Sequence, residues 1–235
     1  MKILLLLGSF LKFGKILKTG GTMLISVVAY AFIYGWAYAA GFVGLIFVHE
    51  MGHYLAARQK GLNVGAPTFI PFVGAWIELK EIPRNAETEA YIGLAGPLVG
   101  AIGALICYFA GRELNSGLLL ALSYSGFFLN LFNLIPLLPF DGGRITSVLS
   151  PRIWLVGLPV LIVMFIYRPS PIFILMGVLA LPHVWRTWKG TIDAEYYETN
   201  LETRIMYACY YVALIIFLAL MMDGVHQMLP RRDFF

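Results

Sequence analysis

Long apolar runs, parted by short polar crossings, set the pattern of this chain. A helix crossing a bilayer needs about 20 mostly apolar residues. On that length the runs predict spans over residues 22–39, 40–59, 90–110 and 117–134. Two shorter, proline-bounded spans follow over 153–167 and 171–185, then a last apolar helix over 205–222. Gly41 is read as the break between the first two spans. One apolar stretch does not fit a helix. Residues 62–80 carry Gly65, Pro67, Pro71 and Gly74, which forbid one straight helix and leave the stretch too broken to cross. It reads as a re-entrant β-hairpin packed on protein, since irregular backbone at membrane depth needs such cover. Gly74, Ala75 and Trp76, with Ile77, then form an edge able to pair with an extended peptide. The plain alternative is a loop at the membrane surface.

The pattern predicts an all-α polytopic membrane protein with about six transmembrane helices plus a C-terminal helix, and the re-entrant β-hairpin after the second span. It divides into an interfacial N-terminal segment over 1–20, a membrane-embedded core over 21–190, and a polar linker with a C-terminal helix over 191–235. In the first segment Lys12, Lys15 and Lys18 recur among Leu11, Phe13, Ile16 and Leu17, as in a helix lying at an interface. No small-x-small cleavage site follows Lys2 and the short run from Ile3 to Leu7, so the start is not read as a signal peptide.

Composition agrees. The 235 residues are 60% hydrophobic and 13% charged, against about 25% charged in soluble domains. The net charge of +4 is read as cytoplasmic Lys and Arg, and no nucleic-acid partner is expected. With a cytoplasmic N-terminus and every span crossing, thirteen of the 17 Lys and Arg fall inside, as the positive-inside rule favours. Cys107 and Cys209 both lie in apolar runs and read as packing residues rather than a pair.

The chemistry sits in the second span, at His49-Glu50-Met51-Gly52-His53. On a helix, positions i and i+4 share a face. Two imidazoles so spaced can hold one Zn²⁺, with the Glu between them as general base toward water. The bland reading is two packed histidines and an incidental acid. It would leave Glu50 buried and unpaired in an apolar helix, which is costly, and acids within spans are functional by default. A catalytic zinc takes three protein ligands. Among the other acids in or beside apolar segments, Asp141 has the best setting, between proline turns and two glycines near the cytoplasmic end of a span. Asp141 also suits the cap of a helix starting at Gly142 or Gly143, and the two roles are compatible. Asn130 and Asn133 are candidate donors to an oxyanion, or else helix-to-helix hydrogen bonds within the bundle.

These residues together resemble the site-2 protease family of intramembrane zinc metalloproteases. The likeness runs through His49-Glu50-Met51-Gly52-His53, Phe69-Ile70-Pro71-Phe72-Val73-Gly74 and Ala95-Gly96-Pro97. It closes on Asn130-x-x-Asn133-x-x-Pro136 and Asp141-Gly142-Gly143, covering about residues 41–151. The resemblance implies Asp141 as third ligand of one zinc ion per chain and Glu50 as base. It implies hydrolysis of transmembrane protein substrates inside the lipid bilayer, fed along the Gly74-Ala75-Trp76 edge, and links Asn130 and Asn133 to substrate handling. Phe140 stands where the family commonly has Leu. Neither a PDZ-like insertion nor a CBS-type tail is visible, and 196–232 lies outside the common core. The expected setting is a prokaryotic inner membrane with the site toward the cytoplasm; the oligomeric state is left open. The rival is a metal-binding membrane protein, a transporter or inactive scaffold, without peptidase activity. It would need polar groups along a through-path, and none is seen beyond the site.

Overall fold

The computed structural model describes residues 2–78 and 80–229, with side chains from Leu17 onward. The interfacial pattern of Lys12 and Lys15 and the residues 230–235 lie outside the described parts. Eight helices and a two-stranded hairpin occupy the described residues: α1 (Lys2–Tyr34), α2 (Trp36–Gln59), β1 (Thr68–Ile70), β2 (Gly74–Trp76) and α3 (Ala86–Glu113). Then come α4 (Gly117–Asn133), the short α5 (Asp141–Ser147), α6 (Trp154–Tyr167), α7 (Pro171–Lys189) and α8 (Leu201–Met228). Among the described residues three stretches are long and apolar enough to cross a membrane: Leu17–Tyr34, Ala86–Glu113 and Leu201–Met228. Gly117–Asn133 and Pro151–Tyr167 are shorter apolar helices.

The break between the first two helices falls at Gly35, not at Gly41 as the hydropathy pattern suggests. Gly35 takes φ +83, a backbone region that side chains disfavour. Gly41 lies inside α2 instead, where a Cβ would run into Leu122 of α4. Helix starts follow local chemistry. The Asn85 side chain accepts from Thr88 N at 2.9 Å to begin α3, and the Ser116 side chain accepts from Leu119 N to begin α4.

α3 is the central element, packed by α2, α4, α5 and α8. Its small residues Ala90, Ala101 and Ala104 meet Phe127 of α4, Ile145 of α5 and Tyr207, Leu214 and Leu218 of α8 in one buried cluster. The hairpin is antiparallel, with Phe69 opposite Ala75. It docks on α1: Thr19 Oγ1 donates to the Pro67 carbonyl at 2.8 Å, and Phe72 N donates to Tyr30 Oη at 3.2 Å. Phe69 is buried against Phe47 of α2.

The polar stretch before α8 has a structural role that its sequence does not advertise. Ala86 N donates to the Tyr196 carbonyl at 2.9 Å, and Tyr196 Oη donates to Glu89 Oε2 at 2.8 Å. Burial and the Glu89 carboxylate push the Tyr196 phenol well above its ordinary pKa, so it stays a donor. Thr199 Oγ1 donates to the Val148 carbonyl at 2.9 Å. The segment thus ties the start of α3 to the end of α5.

Candidate metal centre

α2 carries His49, Glu50 and His53, all on the part of the helix that faces α3 and α4. Its approach to α3 is close because Gly52 lies against the Ala95 backbone, where a Cβ would collide. His49 is 3% and Glu50 6% exposed, so both stand in an environment that excludes bulk water.

Asp141 arrives from the other side. The chain turns after α4 through Leu134–Leu138, and α5 packs directly on that turn. A Cβ on Gly142 would meet the Leu134 carbonyl, and one on Gly143 the Leu137 backbone. Only a pair of glycines permits that contact, which sets the first residue of α5 against α2. The Trp154 indole donates to the Gly143 carbonyl at 2.9 Å and fixes the short helix. The helix cap expected of Asp141 is not made. Phe140 occupies the cap position, no side chain caps the helix, and the Asp141 carboxylate is turned to the histidines.

Three ligand atoms form a near-equilateral triangle. His49 Nε2 lies 3.1 Å from His53 Nε2, and each lies 3.2 Å from Asp141 Oδ2. Tetrahedral zinc with bonds of ~2.0–2.1 Å separates its ligand atoms by about 3.3 Å. The outer nitrogens fix the tautomers. His53 Nδ1 is 2.7 Å from the Ile92 carbonyl, which only accepts, so this nitrogen carries the proton. Asn130 Nδ2 donates to the Gly126 carbonyl at 2.7 Å, which turns Asn130 Oδ1 toward His49 Nδ1 at 2.8 Å and makes that nitrogen a donor too. Both Nε2 atoms therefore aim lone pairs at the point the carboxylate faces. Three electron-rich atoms this close repel unless positive charge sits among them, and the donor set suits a divalent metal ion.

The profile of Peptidase family M50 matches residues 37–116. Zinc metalloprotease MJ0392 of Methanocaldococcus jannaschii is 35% identical over 117 residues, 47% of this chain and 33% of that protein. Probable zinc metalloprotease EGY1, chloroplastic, of Arabidopsis thaliana is 35% identical over 83 residues, 33% of this chain and 15% of that protein. The chain thus aligns with a third or less of the length of these two relatives. Putative zinc metalloprotease MJ0611 of Methanocaldococcus jannaschii is 30% identical over 174 residues, 58% of this chain and 87% of that protein. The chain belongs to peptidase family M50, the site-2 protease family. The solved structure of the Site-2 Protease from Methanocaldococcus jannaschii superposes with a TM-score of 0.47 at 22% identity, over 76% of this chain and 87% of that one.

In this M50 protein a cavity of about 580 Å³ opens on the triangle. Glu50, Asn133 and Arg144 line it, as do Gly74, Ala75 and Trp76 of β2. Asn130 does not. It is 1% exposed, and both ends of its amide are engaged, by His49 and by Gly126. The expected contact of Asn130 with substrate thus meets a physical obstacle, while Asn133 stands open to the cavity. The sequence does not disclose what three features do at the site. The Ile92 carbonyl orients His53. A Cβ on Gly96 would enter the His53 ring, and one on Gly100 would enter the Asn130 amide. Arg144 lies on the cavity wall. Asn130→Ala removes the acceptor of His49 and is expected to weaken zinc binding about 10–100-fold, with the fold intact; a zinc titration of the apoprotein checks it.

Proposed function

We propose that this M50 protein is an intramembrane zinc endopeptidase that hydrolyses peptide bonds in or near transmembrane segments of membrane proteins, as in regulated intramembrane proteolysis. One observation carries the reading: the His49, His53 and Asp141 triangle lines an apolar cavity that Glu50 and the β2 edge also line. These three residues would hold one zinc ion per chain, which would supply Lewis acidity toward water and the scissile carbonyl. The Glu50 carboxylate takes a proton from the attacking water and delivers it to the leaving amine nitrogen. Asn130 and the Ile92 carbonyl hold the two imidazoles with their lone pairs inward. A helical substrate hides its carbonyls in its own hydrogen bonds, so it must unwind before hydrolysis. Gly74, Ala75 and Trp76 offer the unwound strand an edge to pair with, and Asn133 faces it from the cavity wall.

The same reading sets the membrane arrangement. Six spans and α8 cross or line the bilayer, residues 1–20 lie at the interface, 21–190 form the embedded core, and 191–235 the linker and last helix. The charge distribution supports a cytoplasmic N-terminus, with the site toward the cytoplasm of a prokaryotic inner membrane.

The test is cleavage of a panel of fluorescent transmembrane peptides by the purified protein in liposomes. Zinc-loaded protein is expected to cut, a chelator to abolish cutting, and added zinc to restore it. Zinc-loaded, folded protein that leaves every peptide intact would sink the peptidase reading and favour the metal-binding rival.

A further inference from the structure

Arg144 is a cation on the cavity wall that is not among the metal ligands. It follows Asp141 by three residues on α5, so both stand on one face of that short helix. Its stem packs on Gly93 of α3, where a Cβ would press on the Arg144 Cβ. Among the described residues no ion pair within 4.0 Å joins it to an acid, and its Nε is buried without a hydrogen-bond partner. A buried donor left unmet is unfavourable, and more so on a charged group. Much of the cavity lining is apolar, with Trp76, Phe132, Phe140 and Phe173 among it.

An unwound transmembrane strand brings the complementary deficit. Its side chains are apolar, so its polar groups are those of the main chain, and each carbonyl without a partner in a low-dielectric cavity is itself unfavourable. The β2 edge pairs with one side of an extended strand; the carbonyls of its other side still need donors. We propose that Arg144 is a substrate-binding residue whose guanidinium donates to main-chain carbonyls of the unwound substrate in this cavity. Guanidinium suits this role because it is charged at every relevant pH and presents five donors in a planar fork. The inference rests on the peptidase reading and adds a residue that grips the strand in the same cavity as the β2 edge.

The experiment measures KM, kcat and zinc content of the full chain in liposomes, with wild type, Arg144→Met and Arg144→Lys. The substrates are two cleaved transmembrane peptides, one free of Asp and Glu and one carrying a single acid. A grip on carbonyls present in both ground and transition states acts on KM. Arg144→Met is expected to raise KM about ten- to a hundredfold, the range for a hydrogen bond to a charged group, with kcat and zinc content kept. Arg144→Lys, which retains stem and charge, is expected to recover part of the loss and guards against misfolding. Unchanged KM in both variants overturns the proposal. So does a joint loss of zinc and kcat in both, which marks a structural role, or an effect confined to peptides carrying an acid, which marks a side-chain contact. If zinc-loaded wild type cuts no peptide, the peptidase reading falls and this proposal with it, an outcome distinct from the others because it precedes any variant.

Discussion

Glu50→Gln is expected to give a folded protein that holds zinc and whose cleavage rate is reduced by about 10²–10⁴-fold, the range for loss of a positioned acid–base group. The substitution changes little in size, so the packing of α2 on its neighbours is kept. None of the three ligand atoms belongs to Glu50. Gln cannot take the proton of the attacking water, nor return one to the departing nitrogen. Stability should hold or rise. A carboxylate 6% exposed loses hydration on folding, and a neutral amide loses less. The discriminating measurement is the pair of zinc content and rate on one sample. Zinc retained with cleavage lost assigns Glu50 to the chemistry. Zinc and cleavage lost together would make Glu50 a support of the metal site and return the question of the base to the other groups on the wall.

What the chain discloses by itself depends on whether the signal is local. The spacing of His49 and His53 is a helix property, and α2 places both toward one point as that spacing implies. The prolines and glycines between Leu62 and Trp76 rule out a helix locally, and a hairpin stands there. The expected count of six spans is less legible. Among the described residues three helices pass on length and apolarity, and α2 does not; the polar His49, Glu50 and His53 of the site lower its hydropathy. Facing is harder still. Asn130 and Asn133 lie three residues apart on α4, about 60° around the axis, and only the fit of α4 against α2 and α3 turns one to His49 and the other to the cavity. Gly35 and Gly41 look alike in an apolar run; one ends a helix and the other admits Leu122. The Ile92 carbonyl has no sequence signal, since every residue has one. The role of Tyr196 depends on Glu89, more than a hundred residues before it.

Gly96→Ala tests the least local of these features. By helix propensity it should help: Ala in a helix interior is about 1 kcal/mol more favourable than Gly. The site demands the opposite. The new methyl would fall inside the His53 ring. That ring cannot move aside at little expense, because the Ile92 carbonyl holds Nδ1 at 2.7 Å while Nε2 stands 3.1 Å and 3.2 Å from the other two ligand atoms. Nor can the helices part easily, because Gly52 already rests on the Ala95 backbone. The methyl must displace the imidazole, and a displaced ligand is a graver loss than a missing outer-shell partner, itself about 10–100-fold. Zinc affinity is therefore expected to fall by more than about 100-fold and cleavage to vanish, with helical content kept. Gly44→Ala is the control. It lies on α2 with open space around it, and propensity alone should govern it, leaving zinc and rate as in wild type. Zinc titration of both variants separates the causes. If Gly96→Ala binds zinc as tightly as wild type, α3 does not press on His53 as described, and the tight α2–α3 contact is not what positions the ring. If it alone loses zinc, the glycine on α3 belongs to the metal centre as much as the histidine it accommodates.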